Sequence, residues 1–246
     1  MADHVIGSPA GAPAADETLL RTLRAAWPAL PALLFGSVAV CLAGALTVLL
    51  APGVTPVSAL LAGLLVAPCA AALADVGNAL AAGREATVAG WWRGLLRLWR
   101  FGTAQGLLVA VPVAAFLAAL AVWQNGGGAW ALPSLAVSGA ASVLALPALG
   151  AVLPLGAARG DLRGRRLWLC GLYLVARWPH RFLAGPALAV LGVWAAVHWT
   201  ASVLLLVPGP AAVVTAAAVW TTLADVGSTD APESPRAPVR PFGRSR

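Results

Sequence analysis

The chain of 246 residues is too apolar for a soluble domain, because 60% of its residues are hydrophobic and only 10% carry a charge. No single soluble core hides that much apolar side chain, whereas a surface that faces lipid does. The formal net charge is +7, but the arginines lie between apolar runs rather than on one solvated face, which argues against nucleic-acid binding and favours contact with anionic lipid.

The two ends of the chain differ from the rest in composition. The first 27 residues begin with a stretch rich in alanine, glycine and proline and lack an apolar run after a basic start, which argues against a signal peptide and predicts a disordered tail over residues 1–15. A single transmembrane domain is expected over residues 16–227. Residues 228–246, with four prolines and four arginines, predict a second disordered tail that is basic.

Six apolar runs are long enough to cross a bilayer. A helix rises about 1.5 Å per residue, so roughly 20 apolar residues cross a hydrocarbon layer about 30 Å thick. The turn between the last two runs is expected either at Pro208-Gly209-Pro210 or near His198, and only the second position gives both helices an adequate length. The predicted spans are residues 29–51, 57–76, 103–123, 134–157, 183–200 and 205–225.

Arginine is distributed so that it sets an orientation. The connections 52–56, 124–133 and 201–210 hold no charged residue, whereas arginines crowd the other connections and the C-terminal tail. Under the positive-inside rule, six spans with both termini in the cytoplasm leave every arginine inside, whereas five spans put the C-terminal arginines outside. The use of arginine without lysine is typical of a GC-rich bacterial genome. The predicted location is therefore the bacterial plasma membrane.

The two long arginine-bearing connections are amphipathic. On a helical wheel Arg97 and Arg100 lie within about 40° of Arg93, with Trp91 opposite, so this segment is expected to lie flat in the membrane interface. Arg177 lies on a similar basic stripe of the second connection. The expected interfacial anchors at headgroup level are Trp91, Trp92, Trp99, Trp168 and Trp178.

Sequence echoes suggest an internal repeat. The pentapeptide LADVG at residues 73–77 recurs at residues 223–227, and the two arginine-bearing connections align with Arg100 opposite Arg177. These echoes predict three parallel units of about 75 residues, each an interfacial elbow helix followed by a two-helix hairpin. Chance alignment of helices rich in alanine and leucine explains the echoes equally well.

Two carboxylates, Asp75 and Asp225, lie at the ends of predicted spans. A carboxylate in the last turn of a helix faces the negative end of the helix dipole, which costs roughly 0.3–1 kcal/mol at an exposed site. Each is therefore predicted to form a structural ion pair with an arginine of the elbow segments. The candidate partners are Arg93, Arg97, Arg100 and Arg177. The alternative is two solvated aspartates, with Gly77 and Gly227 ending their helices.

Other motifs with a chemical meaning are scarce. HExxH, GxSxG and P-loop patterns are absent, the three histidines are scattered, and the three cysteines lack metal or disulfide spacing. The sequence thus predicts no enzyme, no metal and no cofactor. Gly102 and Gly106 form a GxxxG pattern, which lets two helices approach closely, although a chance match is nearly as common in a chain with 26 glycines.

A loose pattern of small, aromatic and basic residues links the spans. It starts at Pro68, passes Gly83-Arg84-Glu85 and a segment rich in tryptophan and arginine, and recurs from Pro154 to Pro179. In this pattern the chain resembles the YesL family of small bacterial multi-pass membrane proteins, over about residues 30–225. The resemblance implies an unknown activity, frequent encoding beside carbohydrate ABC importers, and no catalytic residues to carry over.

The expected function is therefore that of an accessory or scaffold component associated with carbohydrate ABC import. The expected partners are anionic lipids of the inner leaflet and importer subunits, with no nucleic acid. The alternative is a transporter or permease subunit in its own right. A transporter needs polar or ionisable groups near the membrane midplane, and the predicted spans hold few. The EAA-like stretch at Glu85 departs from the coupling motif of importer subunits in the spacing of its glycine.

Overall fold

The architecture is all-α. A computed structural model describes residues 27–160 and 162–225, and this part of the chain is helical without any strand. Six of its helices are long and apolar enough to cross a membrane, which confirms the expected six-span bundle. The chain is a multi-pass integral membrane protein. The two predicted tails, residues 1–15 and 228–246, lie outside the described residues.

The helices begin where the local sequence favours a start. Thr55 and Thr87 cap the second and third helices by accepting hydrogen bonds from Ser58 N and Gly90 N. Prolines open the second, sixth and seventh helices, where a missing N–H costs no intrahelical bond. The helices are α1 (Leu30–Leu50), α2 (Pro56–Ala81), α3 (Val88–Gln124), α4 (Ala131–Ala158), α5 (Arg165–Arg177), α6 (Pro179–His198) and α7 (Pro208–Asp225).

α2 and α3 form a closely packed antiparallel pair. A Cβ at Gly102 would lie 2.6 Å from Pro68 Cα, and one at Gly63 would lie 2.8 Å from Gly106 O. The register therefore runs in opposite directions along the two helices. Side chains at these glycines would separate the helices, so the GxxxG pattern marks a close approach here rather than a chance match.

The first arginine-bearing segment is not a separate helix that lies flat in the interface. It forms the beginning of α3, which continues for 37 residues without a break. Its apolar stripe packs against protein instead of lipid: Leu98 contacts the cluster around Ala71 and Ala74 of α2. No proline interrupts the segment, so the helix continues into the span. The second elbow is a helix of its own, α5.

The turn before the last span lies near His198. α6 ends at that residue, Trp199 and Thr200 make the turn, and a short 3-10 helix (Ala201–Leu206) leads into α7. Pro208 begins α7 rather than breaking the chain, because proline is well suited to the first turn of a helix. The second of the two turn positions expected from the sequence is therefore correct.

Buried hydrogen bonds tie α7 to the rest of the bundle. Asn78 on α2 is 1% exposed; its Nδ2 donates to Pro154 O on α4 at 2.7 Å, and its Oδ1 accepts from Trp220 Nε1 on α7 at 3.1 Å. Ser37 Oγ on α1 accepts from Gly209 N at 2.8 Å. One amide side chain thus joins three helices.

The LADVG pentapeptide lies inside α2 rather than at its end. Gly77 does not end the helix: α2 continues to Ala81, and a Cβ at Gly77 would lie 2.9 Å from Ala212 O on α7. The glycine after the helix is Gly83, whose φ of 67° suits a residue without a side chain. The threefold repeat stays a prediction, and residues 226–227 of its second copy lie outside the described chain.

Candidate functional site at the α2–α3 corner

Five charged residues line one cavity at the corner between α2 and α3. Residues 82–87 connect the helices, and Arg84 and Glu85 in this connection are exposed. A cavity of about 380 Å³ lies between the end of α2, the connection and the first turns of α3. Its charged lining residues are Asp75, Arg84, Glu85, Arg93 and Arg97.

An ion pair crosses this corner from α2 to α3. Arg97 Nη2 donates to Asp75 Oδ2 at 2.8 Å, with 63% of the arginine side chain and 23% of the aspartate side chain exposed. Both residues are among those singled out from the sequence. The expected placement of Asp75 in the last turn of its helix is wrong, because it lies six residues before the end of α2.

Gly94 makes room for the Asp75 carboxylate. A Cβ at this position would lie 3.1 Å from Asp75 Oδ2, so a side chain here would require the carboxylate to shift by a few tenths of an ångström. Sequence analysis did not identify Gly94 as a site residue. Its one signal is position: it lies three residues before Arg97, on the α3 face that contacts α2.

The other arginines predicted to pair with aspartates have different surroundings. Arg93 lines the cavity, and its Nε donates to Ala89 O at 3.3 Å. Arg100 is exposed on α3. Arg177 lies over the ring of Trp178, with its Cζ 5.7 Å from the ring centroid, so it takes part in a cation–π contact. The side chain of Asp225 lies outside the described residues.

Trp91 is not an interfacial anchor. Only 2% of it is exposed, because it packs in the cluster that contains Leu33 of α1 and Leu73 of α2. Phe35 meets its ring edge-on, with the centroids 5.2 Å apart. The helical wheel correctly places Trp91 opposite the arginines, but protein rather than lipid covers that face. In the described structure its Nε1 is buried without a hydrogen-bond partner.

The other four tryptophans named as anchors are at least partly accessible. Trp92 and Trp99 are exposed on the first turns of α3. Trp168 and Trp178 are partly buried. Trp168 also has a bridging role that its position in the sequence did not reveal: its Nε1 donates to Gln105 Oε1 at 2.7 Å, which joins α5 to α3.

A second cavity lies farther along the α2–α3 pair and has a different character. It has a volume of about 310 Å³ between α2, α3 and α4, and its lining residues are all apolar or glycine. Gly63 and Gly106, which bring the two helices close together, are among the lining residues. None of these lining side chains carries a charge or a hydrogen-bonding group.

The chemistry of the charged corner therefore rests on its own side chains. Guanidinium groups bind anions, and carboxylates beside them limit how much negative charge they accept. Within residues 27–160 and 162–225, no group of three or more histidine, cysteine or acidic side chains is arranged to hold a metal ion. Comparisons with protein-family models, curated proteins and solved structures gave no match.

Proposed function

We propose that the chain is an accessory or scaffold protein of a bacterial plasma membrane rather than a carrier or an enzyme. The observation that supports this is the packing of α2 against α3, where glycines bring the two backbones into contact. A carrier needs polar groups near the membrane midplane that bind its cargo. The cavity beside the contact is lined by alanine, valine, leucine and glycine instead.

The orientation is part of the same proposal. Both termini face the cytoplasm, which puts the arginines of the α2–α3 and α4–α5 connections at the inner leaflet. Anionic headgroups are concentrated there, and each arginine near the surface contributes about 1 kcal/mol to attraction toward them. The exposed Trp92 and Trp99 then lie at headgroup depth beside the arginines of α3.

The partner in this proposal is a carbohydrate ABC importer. It rests on the resemblance to YesL-like proteins, which are often encoded beside such importers. A scaffold acts through a partner whose assembly or stability it changes. The importer subunits encoded nearest to this chain are the first to test.

The test is a purification paired with a transport assay. We expect the tagged chain, co-expressed with the neighbouring importer subunits, to retain them through mild detergent extraction in near-stoichiometric amounts. An unrelated six-span protein with the same tag is the matched control. In proteoliposomes, the chain alone should not accelerate uptake of the sugar that the complete importer takes up. Uptake by the chain alone would support the rival function, a transporter.

A further inference from the structure

We propose that the cavity at the α2–α3 corner is a binding site for a phosphate group, held by Arg84 and Arg93. This goes beyond the scaffold function and does not depend on the identity of a protein partner. The shared chemistry is an anionic phosphate ester or phosphate ion. Its two possible sources are the headgroup of an anionic lipid and a soluble phosphate.

The charge balance of the cavity leaves cations available. Three guanidiniums and two carboxylates line it, and Asp75 is neutralised by Arg97 at 2.8 Å. Within the described structure neither Arg84 nor Arg93 forms an ion pair. Glu85 is the one other carboxylate in the lining, so it balances the charge of only one of these two guanidiniums. The cavity therefore keeps a net positive charge that an anion can neutralise.

The available donors suit a phosphate group. Arg93 uses its Nε for Ala89 O, which leaves the donors of its terminal nitrogens free. A guanidinium presents its N–H groups in a planar fork that matches two oxygens of a phosphate. Thr87, which caps α3, and Gly90 in its first turn also line the cavity, where the partial positive charge of a helix start adds to that of the arginines.

The volume and the neighbourhood favour a lipid headgroup as the source. About 380 Å³ is within the range of known small-molecule sites, so a phosphodiester with a small polar group has enough space. Trp92, Leu96 and Trp99 are exposed on the same turns of α3. Acyl chains of a lipid can lie along these side chains while the phosphate reaches the arginines.

The test uses two probes on the purified full-length protein in an uncharged detergent. Dioctanoylphosphatidylglycerol represents the lipid and inorganic phosphate represents the soluble anion, and each is titrated by calorimetry. We expect saturable binding of the lipid probe at one site. Arg84→Gln and Arg93→Gln should each weaken it by about tenfold or more, which is typical of losing a charged hydrogen bond. Glu85→Gln should strengthen it, because a repelling carboxylate is removed.

Arg100→Gln is the matched control. It removes the same charge from the same helix at an exposed position outside the cavity lining, and it should change the affinity by less than about twofold. Tighter binding of inorganic phosphate than of the lipid, with the same response to Arg93→Gln, would support the site and assign it to soluble phosphate. Three results would overturn the proposal. They are no saturable binding of either probe, equal losses in Arg93→Gln and Arg100→Gln, and weaker binding in Glu85→Gln.

Discussion

Asp75 on α2 and Arg97 on α3 meet at 2.8 Å, and Gly94, three residues before Arg97, leaves the space that the carboxylate occupies. The pair joins the two helices at the end where the connecting loop and the charged cavity lie. Arg97 is largely exposed, so water competes with Asp75 for it. We therefore expect the pair to contribute little to the stability of the fold.

The first prediction concerns this ion pair. Asp75→Asn and Arg97→Gln should each change the free energy of unfolding by less than about 1 kcal/mol, because solvent screens an exposed pair. A double-mutant cycle should give a coupling of about 0.2–1 kcal/mol. The measurement is unfolding in detergent followed by circular dichroism. Arg100→Gln combined with Asp75→Asn is the control and should show no coupling. A coupling above about 2 kcal/mol would mean that the pair is desolvated in the protein.

The second prediction concerns the glycine contacts between α2 and α3. Gly102→Ala should destabilise the protein by about 1–3 kcal/mol, because its Cβ would lie 2.6 Å from the Pro68 backbone and force the helices apart. Gly44→Ala is the matched control: nothing lies within 4 Å of its Cβ, so it should be neutral or slightly stabilising in helix α1. The measurement is the thermal unfolding of both variants in detergent, compared with that of the unchanged protein. Equal effects would show that α2 and α3 do not touch at Gly102.

The third prediction concerns the buried amide of Asn78. Asn78→Ala should cost about 1–3 kcal/mol, because it leaves Pro154 O and Trp220 Nε1 without their partner in the bundle interior. Trp220→Phe removes only one of the two bonds and leaves the bond to Pro154, so it should cost less of this hydrogen-bond energy. Comparison of the two variants by unfolding in detergent tests the order. A larger loss in Trp220→Phe would show that ring packing, not the amide, links α7 to α2.

The spans themselves could be predicted from the sequence because hydropathy and length report burial in lipid directly. The GxxxG spacing offered a close approach at Gly102 and Gly106 as one of two interpretations, since a missing side chain is visible in the sequence. The turn near His198 was one of two positions left open, and the length that two spans require favoured it. Hydropathy, length and glycine spacing are properties of one segment at a time, so they are visible in the sequence before the neighbouring helices are known.

The features that were missed depend on what covers a helix face. The amphipathic stripe opposite Arg93 is the same whether lipid or α2 lies against it, so Trp91 was assigned to the interface although it is buried. The continuity of α3 was missed for the same reason. Gly94 could not be singled out because its importance comes from the position of Asp75, 19 residues earlier in the chain and on another helix.

The fourth prediction concerns the buried indole of Trp91. Trp91→Phe should change the free energy of unfolding by no more than about 1 kcal/mol, because removal of an N–H without a partner offsets part of the lost packing. Trp91→Ala should cost about 3–5 kcal/mol, because it empties a space between α1 and α2. Unfolding curves of the two variants separate these effects. A similar loss in both would show that the indole Nε1 makes a bond that stabilises the fold.

The fifth prediction concerns the orientation of the bundle. Asn125 lies exposed between α3 and α4, and Arg163 lies exposed between α4 and α5, so α4 separates them by one span. If both termini face the cytoplasm, a cysteine at Asn125 lies outside and a cysteine at Arg163 lies inside. We therefore expect a membrane-impermeant maleimide to label Asn125→Cys in intact cells, in a background without the three native cysteines.

The control for this experiment is the Arg163→Cys variant, which should react only after the membrane is permeabilised. This substitution removes one arginine but keeps the other basic residues of the same connection, so the charge bias that sets the orientation persists. Labelling of Arg163→Cys alone in intact cells would show that the bundle has the opposite orientation, with the α2–α3 corner at the outer leaflet. Labelling of both variants in intact cells would mean that α4 does not cross the membrane. Either result would contradict the six-span orientation, because only one arrangement keeps the arginine-bearing connections together on the cytoplasmic side.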